Sequence, residues 1–296
     1  MRSLSLILLA LAGLVMGCSS EAHKPLAQAA DHCGGTSFDL PLIDREVNGH
    51  HILLVDLSFE NSAAGPFILD TGAESNAILG VDDNYDPKTP RISEPHPVKI
   101  KEFEAPITFR AASVPKSEYD YIIANNVNPV VINPMLINED GFTVVDISHH
   151  RLIGFRNEAA VRDCYGYGMR SIISDFEERH ATLATDAIVN ETARGRVALD
   201  TGAILTQLSN GVGAKGIPSP SPEWTYRDIS GASHIPLIAG PYTVEIGSVT
   251  RTLDVAEVSS QLWAAPRYVG VLGMDILSAS ILILPPKGSG YWEFKF

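Results

Sequence analysis

The 296-residue chain is short of positive charge, with 22 Lys and Arg against 35 Asp and Glu and a formal net charge of −13. A surface of that sign repels phosphate backbones and anionic headgroups, so neither nucleic acid nor an anionic membrane surface is expected as a partner. Cysteine is scarce as well. There are three, none in a Cys-x-x-Cys pair, and no His-Glu-x-x-His helix accompanies them, so no metal or other cofactor is expected. His50-His51, His149-His150 and His180 read as solvated turn residues, because adjacent residues on a strand point to opposite faces and do not chelate one ion. The chain lacks a Gly-x-Ser-x-Gly elbow, which removes the serine-hydrolase reading. Gly166-Tyr167-Gly168 lacks the third glycine of a nucleotide fingerprint and reads as a junction loop. No apolar run is long enough to span a bilayer, and Ile281 to Leu284 reads as a buried strand.

The amino-terminal residues have a separate logic. Arg2, an apolar run from Leu4 to Val15 and the small Gly17 make residues 1–17 a secretory signal peptide. Val15-Met16-Gly17-Cys18 resembles the bacterial lipobox, in which the cysteine becomes the lipidated first residue of the mature protein; a plain cleaved signal is the alternative. Ser19 after that cysteine implies, by enteric-type sorting, an outer-membrane lipoprotein facing the periplasm and held by its lipid anchor. Residues 18–36 then form a flexible tether of small and polar residues. With Cys18 carrying lipid, Cys33 and Cys164 remain as a candidate disulfide in an oxidising compartment, two free buried thiols being the alternative.

Beyond the tether, strand signals dominate. Ile52 to Phe59 follows an Asn48-Gly49 turn signal, while Val98-Lys99-Ile100-Lys101 and Ile107-Thr108-Phe109-Arg110 alternate apolar with polar residues. Thr143 to Ile147 and Leu152 to Phe155, Val197 to Asp200, Tyr242 to Ile246, Ser280 to Leu284 and Tyr291 to Phe296 continue the pattern. Frequent short strands separated by turn residues predict an all-β barrel or sandwich architecture. Long amphipathic helices are few: Ser171 to His180 reads as a short helix or loop, and Asp275 to Ala279 as a brief helical segment.

One tetrapeptide occurs twice. Phe67-Ile68-Leu69-Asp70-Thr71-Gly72-Ala73 and Val197-Ala198-Leu199-Asp200-Thr201-Gly202-Ala203 each carry Asp-Thr-Gly-Ala after a short apolar run. A single copy is an ordinary strand running into a turn. Two copies suggest one unit used twice, each presenting a carboxylate at the same local position. Carboxylates forced together cannot both ionise, so one keeps a proton and the other acts as a base toward a shared water. Thr71 and Thr201 are expected to hydrogen-bond across to the opposite loop, and Gly72 and Gly202 to supply backbone freedom and an unobstructed N–H.

These residues resemble the aspartic proteases, and within them the retropepsin-like branch, where Asp-Thr-Gly is followed by Ala. The resemblance implies two retropepsin-like or pepsin-like β-barrel lobes with a cleft between them, spanning residues 37–160 and 161–296. It also implies an endopeptidase acting on polypeptides through Asp70 and Asp200, with no dimer required because both carboxylates lie in one chain. Val271-Leu272-Gly273-Met274-Asp275-Ile276-Leu277 looks like the family's closing element, and Tyr226 to Ala232 like a flap hairpin with Gly231 near its tip. In the first lobe the corresponding element is either Ile122-Ile123-Ala124 or Val131-Ile132-Asn133, neither of which supplies the glycine, and no Gly-tipped flap lies between Ala73 and Tyr121. Ala73 and Ala203 remove a hydroxyl donor from the carboxylates, which predicts an acidic optimum milder than that of gastric pepsins. The rival reading is an inactive envelope lipoprotein that keeps the fold as a peptide-binding or scaffolding module; lobes that pair between chains are a third.

Overall fold

The computed structural model describes residues 33–47, 50–60, 64–86, 91–203, 205–209, 217–218, 226–227, 233–234, 237–254, 256–259 and 268–296. The signal segment, Cys18, the Asn48-Gly49 turn and Gly231 lie outside them. Among the described residues no helix is long and apolar enough to cross a membrane.

Strand Thr36–Val47 pairs antiparallel with His50–Ser58, which pairs in turn with Ala64–Leu69 through Leu54 opposite Ile68 and Leu57 opposite Gly65. This meander delivers the chain to Asp70. On its other side Ala64–Leu69 runs parallel to Val130–Ile132, Leu69 opposite Ile132. Val130–Ile132 is antiparallel to Asn76–Val81, and Asn76–Val81 is parallel to Ile107–Val114. Phe67, Ile68, Leu69, Val130, Val131 and Ile132 are all buried, so these two short strands read as unbroken apolar runs, as strands covered on both faces do.

The second half repeats the order. Ala193–Leu199 is antiparallel to Ala184–Val189 and parallel to Tyr268–Leu272, Leu199 opposite Leu272. Tyr268–Leu272 is antiparallel to Gln207–Ser209, which is parallel to Ala256–Ser259. The duplication first visible in a tetrapeptide therefore extends to the connectivity of each unit. The fold is all-β and two-lobed, and its longest described helix is the nine residues Lys116–Ala124.

A shared sheet joins the lobes. Its order is Met169–Ile172, Tyr291–Lys295, Ile281–Leu284, Phe142–Asp146, Arg151–Phe155 and Thr36–Val47, after which it continues into the first lobe. Leu282 sits opposite Val145, so strands from the second half complete a sheet begun by the first. Helix Glu158–Tyr165 straddles the 160/161 division and buries Val161 beside Phe142 and Phe155. The region expected as a short helix or loop at Ser171 to His180 contains the end of strand Met169–Ile172 and helix Asp175–Arg179, started by a reciprocal cap between Ser174 and Glu177. The other brief helix is Met274–Leu277.

Cys33 and Cys164 form a disulfide, with Cα atoms 5.6 Å apart and a sequence separation of 131. It fixes the chain ahead of the first strand to helix Glu158–Tyr165. Closing so long a loop restricts the unfolded chain strongly, so replacing both cysteines by serine should lower stability by about 2–4 kcal/mol, read by thermal unfolding. An unchanged midpoint would show that the bond contributes nothing to the fold.

Candidate active site

Each loop leaves the sheet where an apolar strand ends. The Asp70 N–H donates to the Ile132 carbonyl at 2.9 Å, and the Asp200 N–H to the Leu272 carbonyl at 3.0 Å, so the parallel partner strand holds each aspartate at its root. The chain then turns back on its own carboxylate. Asp70 Oδ1 accepts from the N–H of Gly72 at 2.7 Å and of Ala73 at 3.1 Å; Asp200 Oδ1 accepts from the N–H of Gly202 at 2.8 Å. This local bonding to the main chain is the usual reason for Asp in a turn.

The threonines lock the two loops together across 130 residues of sequence. The Thr71 N–H donates to Thr201 Oγ1 at 3.1 Å, and the Thr201 N–H to Thr71 Oγ1 at 3.0 Å. Each hydroxyl then donates across to the other lobe, Thr71 to the Leu199 carbonyl at 2.9 Å and Thr201 to the Leu69 carbonyl at 2.8 Å. Both threonines are buried, so all four bonds are shielded from water.

The glycines have a different role from the expected backbone freedom, since among the described residues neither Gly72 nor Gly202 has a positive φ. What they provide is space. A Cβ on Gly72 would stand 2.5 Å from Asp200 Cγ, and one on Gly202 2.9 Å from Asp70 Cγ. Each glycine is required by the carboxylate of the opposite lobe.

Asp70 and Asp200 are 3% and 1% exposed, and each carboxylate stands against the glycine of the opposite loop. Burial raises the pKa of both. For Asp70 the rise is opposed by the bond from Asp200 and by the Gly72 and Ala73 N–H groups. Asp200 is pushed well above the usual carboxylate value by burial first, then by the charge of Asp70 and the bond to it. Two acids buried this closely disfavour a doubly ionised state, so one proton is favoured on the pair.

Beneath the loops the lobes differ. In the second, Thr206 Oγ1 donates to Asp275 Oδ1 at 2.8 Å and accepts from the Gly273 N–H at 3.2 Å, while the Thr206 N–H donates to Asp275 Oδ2 at 3.0 Å. Burial raises the pKa of Asp275, and those Thr206 bonds pull it back. Gly273 is indispensable here, since a Cβ would lie 2.6 Å from the Leu205 carbonyl carbon and 2.7 Å from the Ala203 oxygen. In the first lobe Val131-Ile132-Asn133 takes this place and Ile122-Ile123-Ala124 lies in a helix. Asn133, noted in sequence only as the residue standing in place of a glycine, and Asn76, which the sequence reading did not single out, are both fully buried below the Asp70 loop. Glu74, next after the first tetrapeptide, lies 3.4 Å from His180 Nδ1 of the second half.

One histidine differs from its expected solvated state. His149 Nδ1 lies 2.8 Å from Asp146 Oδ1, and Ser148 and Tyr165 also hydrogen-bond that carboxylate, which is 1% exposed. The hairpin turn between Asp146 and Arg151 folds the ring back onto a buried acid that needs partners. His51 pairs with Asp44 at 2.8 Å. Among the described residues no three His, Cys, Asp or Glu side chains are grouped to hold a metal.

No protein-family model matches the chain, and no curated protein matches its sequence. The structure is similar over 86% of its length to the crystal structure of an aspartic proteinase from Irpex lacteus, covering 96% of that chain at 10% identity and a TM-score of 0.48. It is similar over 87% to conglutin gamma, a basic 7S globulin from lupine seeds, covering 94% of that chain at 11% identity and a TM-score of 0.48. The chain itself has two β lobes of matching strand order, each contributing one Asp-Thr-Gly loop to a shared junction.

Proposed function

We propose that the protein is an aspartic endopeptidase of the retropepsin-like kind, acting on polypeptides in the bacterial cell envelope. The observation that carries this reading is the burial of Asp70 and Asp200 with each carboxylate against the glycine of the opposite loop, held by loops that the threonines interlock. In the proposed cycle Asp70 takes a proton from a water between the two acids, and the resulting hydroxide attacks the peptide carbonyl carbon. Asp200 gives its proton to the carbonyl oxygen. Collapse of the tetrahedral intermediate breaks the C–N bond, the leaving nitrogen takes the proton now on Asp70, and the new hydroxyl returns a proton to Asp200. No covalent enzyme intermediate forms. One chain supplies both acids, so the reading needs no dimer. The envelope location rests on Val15 to Cys18, with Cys18 as the lipidated residue.

A soluble form lacking residues 1–18, incubated with a mixed peptide library, is expected to cleave with a bell-shaped pH profile peaking at mildly acidic pH. The acid limb reports protonation of Asp70, and the alkaline limb loss of the Asp200 proton, whose raised pKa carries that limb above the usual carboxylate range. Maximal activity at strongly acidic pH contradicts the proposed proton arrangement. Binding without cleavage favours the scaffolding alternative.

A further inference from the structure

We infer that Asn133 is the positioning residue of the Asp70 loop, its side-chain amide replacing a main-chain donor that Pro134 has removed. The inference rests on the reading of Asp70 as half of the dyad. Its basis is the register shared by the lobes. Leu69 opposes Ile132 as Leu199 opposes Leu272, so Asn133 stands where the second lobe has Gly273, and Pro134 where it has Met274.

In the second lobe the Met274 N–H donates to the Ala203 carbonyl at 2.8 Å, tying the end of the Asp200 loop to the element beneath it. Proline has no N–H, so the first lobe cannot make that bond. Asn133 makes its equivalent. Its Nδ2 donates to the carbonyl of Ala73, the counterpart of Ala203, and to the Ala181 carbonyl at 3.1 Å. Its Oδ1 accepts from the Met135 N–H at 2.8 Å, and its own N–H donates to Asn76 Oδ1 at 2.8 Å, where the second lobe uses Thr206 Oγ1. Both Nδ2 hydrogens and Oδ1 are engaged, and the side chain is 0% exposed.

The exchange is not reversible between lobes. At Gly273 even a Cβ collides with main-chain atoms of Leu205 and Ala203. Gly-Met and Asn-Pro are thus two solutions to one requirement, a donor for the carbonyl that ends the catalytic loop. In the first lobe this donor also acts on the chemistry, because Ala73 donates its own N–H to Asp70 Oδ1 at 3.1 Å. Pinning Ala73 from its carbonyl side keeps that N–H on the carboxylate and favours ionised Asp70. Ala181 brings a segment of the second half to the same amide, so Asn133 also ties the lobes together.

The test compares Asn133→Ala, Pro134→Ala and the double variant with the parent. Asn133→Ala leaves the buried Ala73 and Ala181 carbonyls without their donor. The melting temperature is expected to fall by about 5 °C, kcat by about 10- to 100-fold with KM little changed, and the acid limb of the pH profile to move upward. Pro134→Ala alone should change little. In the double variant the restored N–H at position 134 is expected to recover most of the melting temperature and of kcat, and to return the acid limb. A double variant as impaired as Asn133→Ala overturns the proposal, because a residue that merely fills space is not rescued from the neighbouring main chain. Where Asn133→Ala does not fold, recovery of soluble folded double variant supports the proposal and its absence overturns it. A parent that cleaves no peptide overturns the proteolytic reading instead, and the thermal arm still decides the role of Asn133.

Discussion

Asp200→Asn should abolish peptide cleavage and, above neutral pH, make the protein more stable than its parent. Both effects have one origin, two acids held in a site that excludes water. Burial and the neighbouring charge raise the Asp200 pKa in the folded state well above its unfolded value. Folding then favours the protonated form: stability is greatest below the unfolded pKa and declines as pH rises toward the folded one. Asparagine has the same shape, never ionises and still donates a hydrogen bond to Asp70, so the decline disappears while the proton needed for hydrolysis is gone. A fall of at least about 10³-fold in kcat is expected, within the range for loss of a general acid-base partner. Asp70→Asn should be equally inactive, since burial raises the pKa of Asp70 as well and the pair then lacks its base. Kinetics on any peptide the parent cleaves, with thermal unfolding between about pH 4 and 8, checks both effects. A variant within tenfold of the parent rate, or one that melts lower at pH 8, would falsify the shared-proton arrangement.

Thr71→Val is expected to be among the most damaging substitutions of an uncharged side chain, although valine closely matches threonine in shape. The lost hydroxyl accepts from the Thr201 N–H and donates to the Leu199 carbonyl, both in water-free surroundings. Each orphaned group costs about 1–3 kcal/mol, so the total of about 2–6 kcal/mol removes much of the stability of an ordinary domain. Thr201→Val should match it, stranding the Thr71 N–H and the Leu69 carbonyl. Serine keeps the oxygen and is expected to be mild at either position. Urea unfolding of the four variants separates the cases, and a valine variant as stable as its serine counterpart removes the argument. Because these bonds also set the distance between the two aspartates, the valine variants should lose activity at temperatures where they remain folded.

Much of the site was legible because its chemistry is local. Asp70 and Asp200 announce themselves through short runs that repeat, and each run contains the strand, the turn and the acid together. Val271-Leu272-Gly273 was legible only through its likeness to the aspartic-protease closing element, and Leu272 accepts the Asp200 N–H. The first-lobe counterpart was ambiguous because Ile122-Ile123 and Val131-Ile132 are equally apolar, and only pairing with Leu69, far away in sequence, separates a helix from a strand. Helix Lys116–Ala124 carried little signal, with aromatic and β-branched residues in its body and no side-chain cap. His149 lies in a turn as read, but its partner Asp146 was not legible, because that acid is buried by the sheet. The division at 160/161 did not anticipate that Ile281–Leu284 would pair with Phe142–Asp146, a contact with no local signature.

The shared sheet also sets an order of events. Phe142–Asp146 has an unpaired edge until Ile281–Leu284 arrives, and Met169–Ile172 has no neighbour in that sheet until Tyr291–Lys295 arrives. These are among the most sequence-distant pairings in the fold, and such contacts form late because a long loop must close first. A ribosome-bound chain therefore carries the Asp70 loop for part of its synthesis without the Asp200 loop that pairs with it. The sheet that joins the two aspartate loops is thus complete only after residues 281–295 have been synthesised.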